Sequence, residues 1–188
     1  MSELQCVTSV PLPELLAYWL GEMDEIAEAR LEQHLFGCAE CSGRIANLVN
    51  LTQAIRQQFR EGRLGTTILT ARFVQQLKDA GMRVREYHIQ PGGSVNCTIA
   101  PDDDLVVSHL DAPLQDVGRL DFIIEGASWR HRLEDIAFDS ASGKVVFAPS
   151  VAELRKLGVS THRARLVAVS PGEERVIGDY TFKHSPYR

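Results

Sequence analysis

The segment His34–Arg44, "HLFGCAECSGR", places a histidine and two cysteines within eight residues of a chain that has four cysteines in all. One amphipathic helical pattern ends at Gly37, and the next begins near Cys41. His34, Cys38 and Cys41 are therefore expected to meet at a corner between two helices. Imidazole and thiolate are the ligands that zinc prefers in structural sites, so this spacing predicts a zinc site.

A structural zinc site takes four ligands, and the corner supplies three. The cysteine that remains in the helical part of the chain is Cys6, in the segment before the first helix. We therefore expect Cys6 to be the fourth ligand, which would hold that segment against the corner. Another interpretation stays open, in which His34 is a buried core residue and the cysteines either pack or form a redox pair.

Length and composition limit the classes to which the protein can belong. The 188 residues are 44% hydrophobic, which suits one large domain or two small ones. The formal net charge is -5 with acidic and basic residues interspersed, which disfavours direct binding to nucleic acid. No apolar stretch reaches the roughly 20 residues that span a bilayer, and the N-terminal sequence lacks the features of a signal peptide. We therefore expect a cytoplasmic protein without a membrane segment.

The hydrophobic periodicity changes near Gly81. Before this residue, apolar positions at helical spacing predict four helices, the fourth over residues 66–81. After it, short segments rich in β-branched and aromatic residues alternate with turn sequences, a pattern typical of an antiparallel β-sandwich or barrel. The sequence therefore predicts an α+β protein, with a helical domain over residues 1–80 and a β-rich domain over residues 81–188.

The segment Glu14–Cys41, "ELLAYWLGEMDEIAEARLEQHLFGCAEC", resembles the zinc-associated anti-sigma domain family. The motif of that family is a histidine, three residues, a cysteine, two residues and a cysteine. The resemblance implies that His34, Cys38 and Cys41 bind zinc and that Cys6 matches the upstream ligand of the family. Cys6 lies a few residues farther from the helix than the commonest spacing, and the alternatives for the fourth ligand are Asp24, Cys97 or a water molecule.

The same resemblance implies a function. Such domains bind an alternative sigma factor, usually of the extracytoplasmic-function type, and keep it from RNA polymerase and promoter DNA. We expect the partner to contact two apolar stripes that exceed what four short helices can bury among themselves. These stripes consist of Leu15, Leu16, Trp19 and Leu20, and of Leu69, Phe73 and Leu77.

Two other functions stay open, and an enzyme is not expected. Cys38 and Cys41 have the spacing of a dithiol, which is compatible with a thiol redox sensor or a dithiol oxidoreductase. A zinc-stapled interaction module for another protein partner is the other alternative. The sequence lacks a Gly-rich phosphate loop, a nucleophile elbow and a zincin helix. The histidines of the β-rich part lie apart in the sequence, and we expect no metal cluster among them: His88, His109, His131, His162 and His184.

Overall fold

The computed structural model describes residues 9–61 and 65–187 of the chain. Helices come first, and two mostly antiparallel β-sheets follow, which confirms the predicted α+β class. By contacts, the chain divides into two compact units, one up to Gln57 and one from Gln58 onward. None of the helices in the described ranges combines the length and the apolar character that a membrane span requires.

Three helices begin in the described part of the first unit. These are α1 (Leu12–Leu20), α2 (Glu25–Gly37) and α3 (Ala39–Arg60). The last residues of α3 extend past the end of this unit at Gln57. Helix α1 ends at Gly21, whose φ of 61° is a left-handed conformation that glycine adopts without a steric penalty. Helix α2 begins at Asp24, whose carboxylate accepts the backbone N–H groups of Ile26 and Ala27 at 3.0 and 2.9 Å.

The described part of the second unit contains two short helices and two sheets. Its elements are β1 (Thr67–Leu69), α4 (Ala71–Asp79), β2 (Val84–Ile89), β3 (Ser94–Cys97), β4 (Leu105–Asp111), β5 (Arg119–Glu125), β6 (Arg130–Leu133), β7 (Lys144–Ala148), α5 (Val151–Lys156), β8 (Ser160–Ser170) and β9 (Glu173–His184). The strand orders are β1-β7-β4-β2 and β3-β9-β8-β5-β6. The pairs β2–β4 and β3–β9 are parallel, and the other pairs are antiparallel.

The core of the second unit lies between its two sheets. Leu110 and Phe147 of one sheet belong to the same buried apolar cluster as Phe122 and Phe182 of the other. The rings of Phe122 and Phe147 lie 4.7 Å apart between centroids, in a tilted arrangement. The two sheets therefore pack face to face as a sandwich, which is one of the two β architectures that the sequence pattern predicts.

The segment after α3 differs from the prediction of a single helix over residues 66–81. Thr67–Leu69 forms strand β1, which pairs with β7, and only Ala71–Asp79 is helical, as α4. Thr70 caps that helix by accepting the N–H of Phe73 at 3.1 Å. β1 and α4 both lie in the second of the two compact units, which begins at Gln58.

Candidate metal centre

Three of the predicted zinc ligands lie in the described residues, and the corner between α2 and α3 brings them together. His34 lies in the last turn of α2, Cys38 has an extended backbone between the helices, and Cys41 is in the first turn of α3. One ligand atom from each of these side chains lies within 4.8 Å of the other two. Cys41 is fully buried, whereas His34 and Cys38 are half-buried. The structure thus assembles the local triad that the spacing predicts.

Hydrogen bonds across the corner fix its shape. The hydroxyl of Ser42 donates to the carbonyl oxygen of Leu35 at 2.5 Å, which links the first turn of α3 to the last turn of α2. The backbone N–H of Ser42 donates to the carbonyl oxygen of Cys38 at 3.0 Å. Ser42 therefore donates hydrogen bonds to the carbonyl groups of both Leu35, which follows His34, and Cys38.

The triad fits zinc in donor chemistry and in spacing. Bonds of about 2.3 Å to sulfur and about 2.0–2.1 Å to nitrogen, at tetrahedral angles, place ligand atoms roughly 3.3–3.8 Å apart. Side-chain atoms within 4.8 Å of one another reach that spacing through small torsional changes. A zinc ion at this position would be a structural cross-link between α2 and α3.

The fourth ligand is not fixed by the described residues. Cys6, the predicted ligand, lies outside them. The guanidinium of Arg44 donates to the carbonyl oxygen of Val10 at 2.5 Å and to the hydroxyl of Ser9 at 3.0 Å, which ties the segment before α1 to the first turns of α3.

The two alternative protein ligands have other positions. The carboxylate of Asp24 caps α2 through its Oδ1 atom, at the opposite end of that helix from His34. Cys97 is the last residue of β3, in the second unit, where it packs against the core between the sheets. Burial raises the pKa of the Cys97 thiol.

The predicted partner-binding residues fall in both units and differ in burial. Leu15 in α1 and Leu77 in α4 are completely buried, so they act as core residues in this conformation. Leu16 is exposed, with 40% of its surface accessible. The remaining predicted contacts are half-buried: Trp19, Leu20, Leu69 and Phe73.

Several apolar side chains of the first unit outside the predicted set are also exposed. Phe36, beside His34 in the last turn of α2, is 93% exposed, and Ile26 at the start of α2 is 69% exposed. Leu12, Val49 and Leu51 are also exposed. Sequence reasoning missed Phe36 because it lies off the α2 stripe that carries Leu31.

The second unit contains another cluster of side chains that can bind a metal ion. The expectation of no metal cluster among its histidines is therefore corrected. Glu86, His88 and His109 each place one ligand atom within 4.8 Å of the others. Sequence reasoning missed the cluster because it depends on the parallel pairing of β2 with β4, which aligns His88 with His109. The available signal was the alternation of Glu86 and His88 on one strand face.

The carboxylate of Glu86 has two partners on different elements. Its Oε1 atom accepts from the ammonium group of Lys78 in α4 at 2.6 Å, and its Oε2 atom lies 2.9 Å from Nε2 of His109. Burial raises the pKa of Glu86, but the bonds from Lys78 and His109 outweigh burial and hold it below its ordinary value. Glu86 is therefore ionised at neutral pH.

The other histidines of the second unit do not join this cluster. His131 and His162 each lie against the ring of Trp129, with centroids 5.3 and 5.4 Å away. Burial lowers the pKa of His162 and of His184, which keeps both rings neutral near pH 7.

Comparison with protein families identifies the class of the N-terminal segment. Residues 13–42 match the family model described as "Putative zinc-finger". This is the family of the zinc-finger anti-sigma domain, so the resemblance of the N-terminal sequence to that family is confirmed. The match contains His34, Cys38 and Cys41 and ends one residue beyond Cys41.

No curated protein matches the chain. Among solved structures, the N-terminal domain of phage TP901-1 ORF48 aligns with a TM-score of 0.38 and 12% identity, over 57% of this chain and 100% of that domain. The cysteine protease inhibitor EhICP2 from Entamoeba histolytica aligns with a TM-score of 0.30 and 13% identity, over 54% of this chain and 96% of the inhibitor. Similarity at this level supports no conclusion about either unit.

Proposed function

We propose that the protein is a zinc-dependent anti-sigma factor that sequesters an alternative sigma factor of the extracytoplasmic-function type. The observation that carries the proposal is the His34–Cys38–Cys41 corner inside the segment that matches the zinc-finger family. Zinc would cross-link α2 to α3, and the helices would present apolar side chains to the sigma factor. The complex would keep the sigma factor from RNA polymerase and from promoter DNA.

The surface of the first unit supports a protein partner. All three of its helices carry exposed apolar side chains. Leu12 and Leu16 belong to α1, Ile26 and Phe36 to α2, and Val49 and Leu51 to α3. Amphipathic helices commonly bind proteins through such side chains, which insert into apolar grooves of the partner.

Phe36 lies close to the zinc corner in the sequence, two residues after His34 and two residues before Cys38. An adjacent surface cavity of about 300 Å³ is lined by Tyr18, Glu32, Leu35, Phe36, Ser42 and Ile45. Loss of zinc is therefore expected to disturb the binding surface as well as the fold of the first unit.

The burial of Cys41 favours a structural role for zinc over thiol cycling. A catalytic or sensing thiol is generally accessible to its oxidant, and Cys41 has no exposed surface. The proposed protein is therefore a binding protein that acts by sequestration and not a dithiol oxidoreductase.

Co-purification tests this proposal. The zinc-loaded full chain would be mixed with each purified sigma factor from its own cell and separated by size-exclusion chromatography. We expect a stable complex with a sigma factor of the extracytoplasmic-function type and none with the principal sigma factor. If no sigma factor elutes with the zinc-loaded chain, the proposal is wrong.

A further inference from the structure

The pairing of β2 with β4 places three side chains with metal-binding groups on one face of a sheet. The two strands are parallel, and His88 lies directly opposite His109 in the register. Glu86 precedes His88 by two residues, so the alternation of side chains along a strand puts both on the same face. The opposite face carries Ile89 and Leu110, which belong to the core between the sheets.

The three side chains are already close to one another. The rings of His88 and His109 are stacked, with centroids 4.4 Å apart and an interplanar angle of 6°. Nε2 of His109 lies 2.9 Å from Oε2 of Glu86. One ligand atom from each residue lies within 4.8 Å of the others, whereas three ligands on one zinc ion would be roughly 3.3–3.4 Å apart.

We propose that Glu86, His88 and His109 form a second metal site, which binds a divalent transition metal ion such as Zn²⁺. Two imidazoles and one carboxylate are donors that suit zinc, nickel, copper and iron, and a set of three leaves further coordination positions open. His88 is exposed and gives the ion a route from solvent, while His109 is buried and fixes the inner side of the site.

The neighbouring lysine is compatible with this site. Lys78 donates to Oε1 of Glu86, whereas the oxygen next to His109 is Oε2. A metal ion bound through Oε2 therefore leaves the ion pair between Lys78 and Glu86 in place. Lys78 then orients the carboxylate in the way that outer-shell partners orient metal ligands.

Zinc analysis of the full chain tests the site. Wild-type protein and single variants would be equilibrated with excess Zn²⁺, passed through a desalting column and assayed for zinc per chain. His88→Gln changes an exposed side chain, and Glu86→Gln keeps the shape of the carboxylate, so both variants should fold. The matched control is His131→Gln, the same substitution at an exposed histidine of β6 in the same unit.

We expect His88→Gln and Glu86→Gln each to hold one zinc equivalent less than the wild type and His131→Gln to hold as much. Titration of the site with Zn²⁺ should show an affinity at least about 100-fold weaker in both variants, since even outer-shell changes cost about 10–100-fold. The difference in zinc content between each variant and the wild type reports this site alone, because the α2–α3 corner is the same in both proteins. Equal zinc content in His88→Gln, Glu86→Gln and the wild type would overturn the proposal.

Discussion

Ser42 and Leu35 are joined across the α2–α3 corner by a hydrogen bond from the Ser42 hydroxyl to the Leu35 carbonyl oxygen, 2.5 Å long. Leu35 follows His34, and Ser42 follows Cys41, so the bond connects the neighbours of two predicted zinc ligands. The backbone N–H of Ser42 also donates to the carbonyl oxygen of Cys38. The protein itself therefore contributes to the shape of the metal corner.

Ser42→Ala is predicted to loosen this corner. The substitution leaves the Leu35 carbonyl without the Ser42 donor and lowers the free energy of unfolding of the zinc-loaded first unit by about 1–2 kcal/mol. Thermal unfolding of the full chain, followed by circular dichroism of the helical signal, measures the loss. Asn50→Ala, at an exposed position of α3, is the control and should change stability by less than about 0.5 kcal/mol.

Replacement of the corner cysteines is predicted to remove one zinc equivalent per chain. Cys38→Ser and Cys41→Ser each replace a thiolate with a weaker zinc ligand, so either variant should lose zinc and much of the helical signal of the first unit. Asn50→Ala, at an exposed position of α3, is the control, because it leaves every candidate ligand in place. Zinc content that is the same in Cys38→Ser, Cys41→Ser and the control would contradict the assignment of the corner.

Cys6→Ser is expected to have a smaller effect than the corner variants. An unchanged zinc affinity in this variant would assign the fourth position to another ligand. The same zinc assay therefore decides between Cys6 and its alternatives.

The zinc corner was predictable because its ligands are close in the sequence. Two successive helix patterns and a spacing of three and two residues suffice to bring His34, Cys38 and Cys41 together. The Glu86–His88–His109 cluster depends instead on a parallel pairing of strands, and no local pattern specifies which strands pair. The same reason applies to β1, whose partner β7 begins about 75 residues later in the chain. A three-residue strand without that partner is indistinguishable from the first turn of the helix that follows.

A buried carboxylate makes the stability of the second unit dependent on pH. The side chain of Asp121 has no exposed surface, and it accepts from Nε of Arg132 at 2.7 Å and from the backbone N–H of Asp135 at 2.9 Å. Burial raises the pKa of Asp121, but these hydrogen bonds and the charges of Arg119 and Arg132 outweigh burial and lower it. The ionised form therefore stabilises the fold.

Asp121→Asn is predicted to destabilise the second unit by about 3 kcal/mol at pH 7, because it leaves the charge of Arg132 with less compensation. Because the pKa of Asp121 is lower in the folded protein, the stability that its carboxylate contributes is complete above the unfolded-state pKa of about 3.9. This contribution is lost as the pH falls through the folded-state pKa. The difference between wild type and variant should therefore shrink below about pH 4. Urea unfolding at a series of pH values measures it, and a difference that grows as the pH falls would contradict the account.

Phe36→Ala is predicted to weaken the complex with the sigma factor without reducing the stability of the free protein. Phe36 is 93% exposed, so truncation removes no core contact, whereas an aromatic anchor in an interface is commonly worth 2 kcal/mol or more, about 30-fold in affinity. Val159→Ala is the control, because Val159 is 84% exposed in the second unit. Binding that is equally strong in both variants would remove Phe36 from the interface.

The most direct test of the central claim is the dissociation constant of the full chain for its sigma factor, measured by calorimetry for zinc-loaded wild type and for Cys38→Ser. If zinc at the α2–α3 corner holds the sigma-binding helices in place, the variant should bind at least about 10-fold more weakly, since a disordered unit must be ordered on binding. Val159→Ala, the exposed control in the second unit, should bind like the wild type. Equal dissociation constants for the wild type and Cys38→Ser would contradict the claim that the zinc corner supports sequestration.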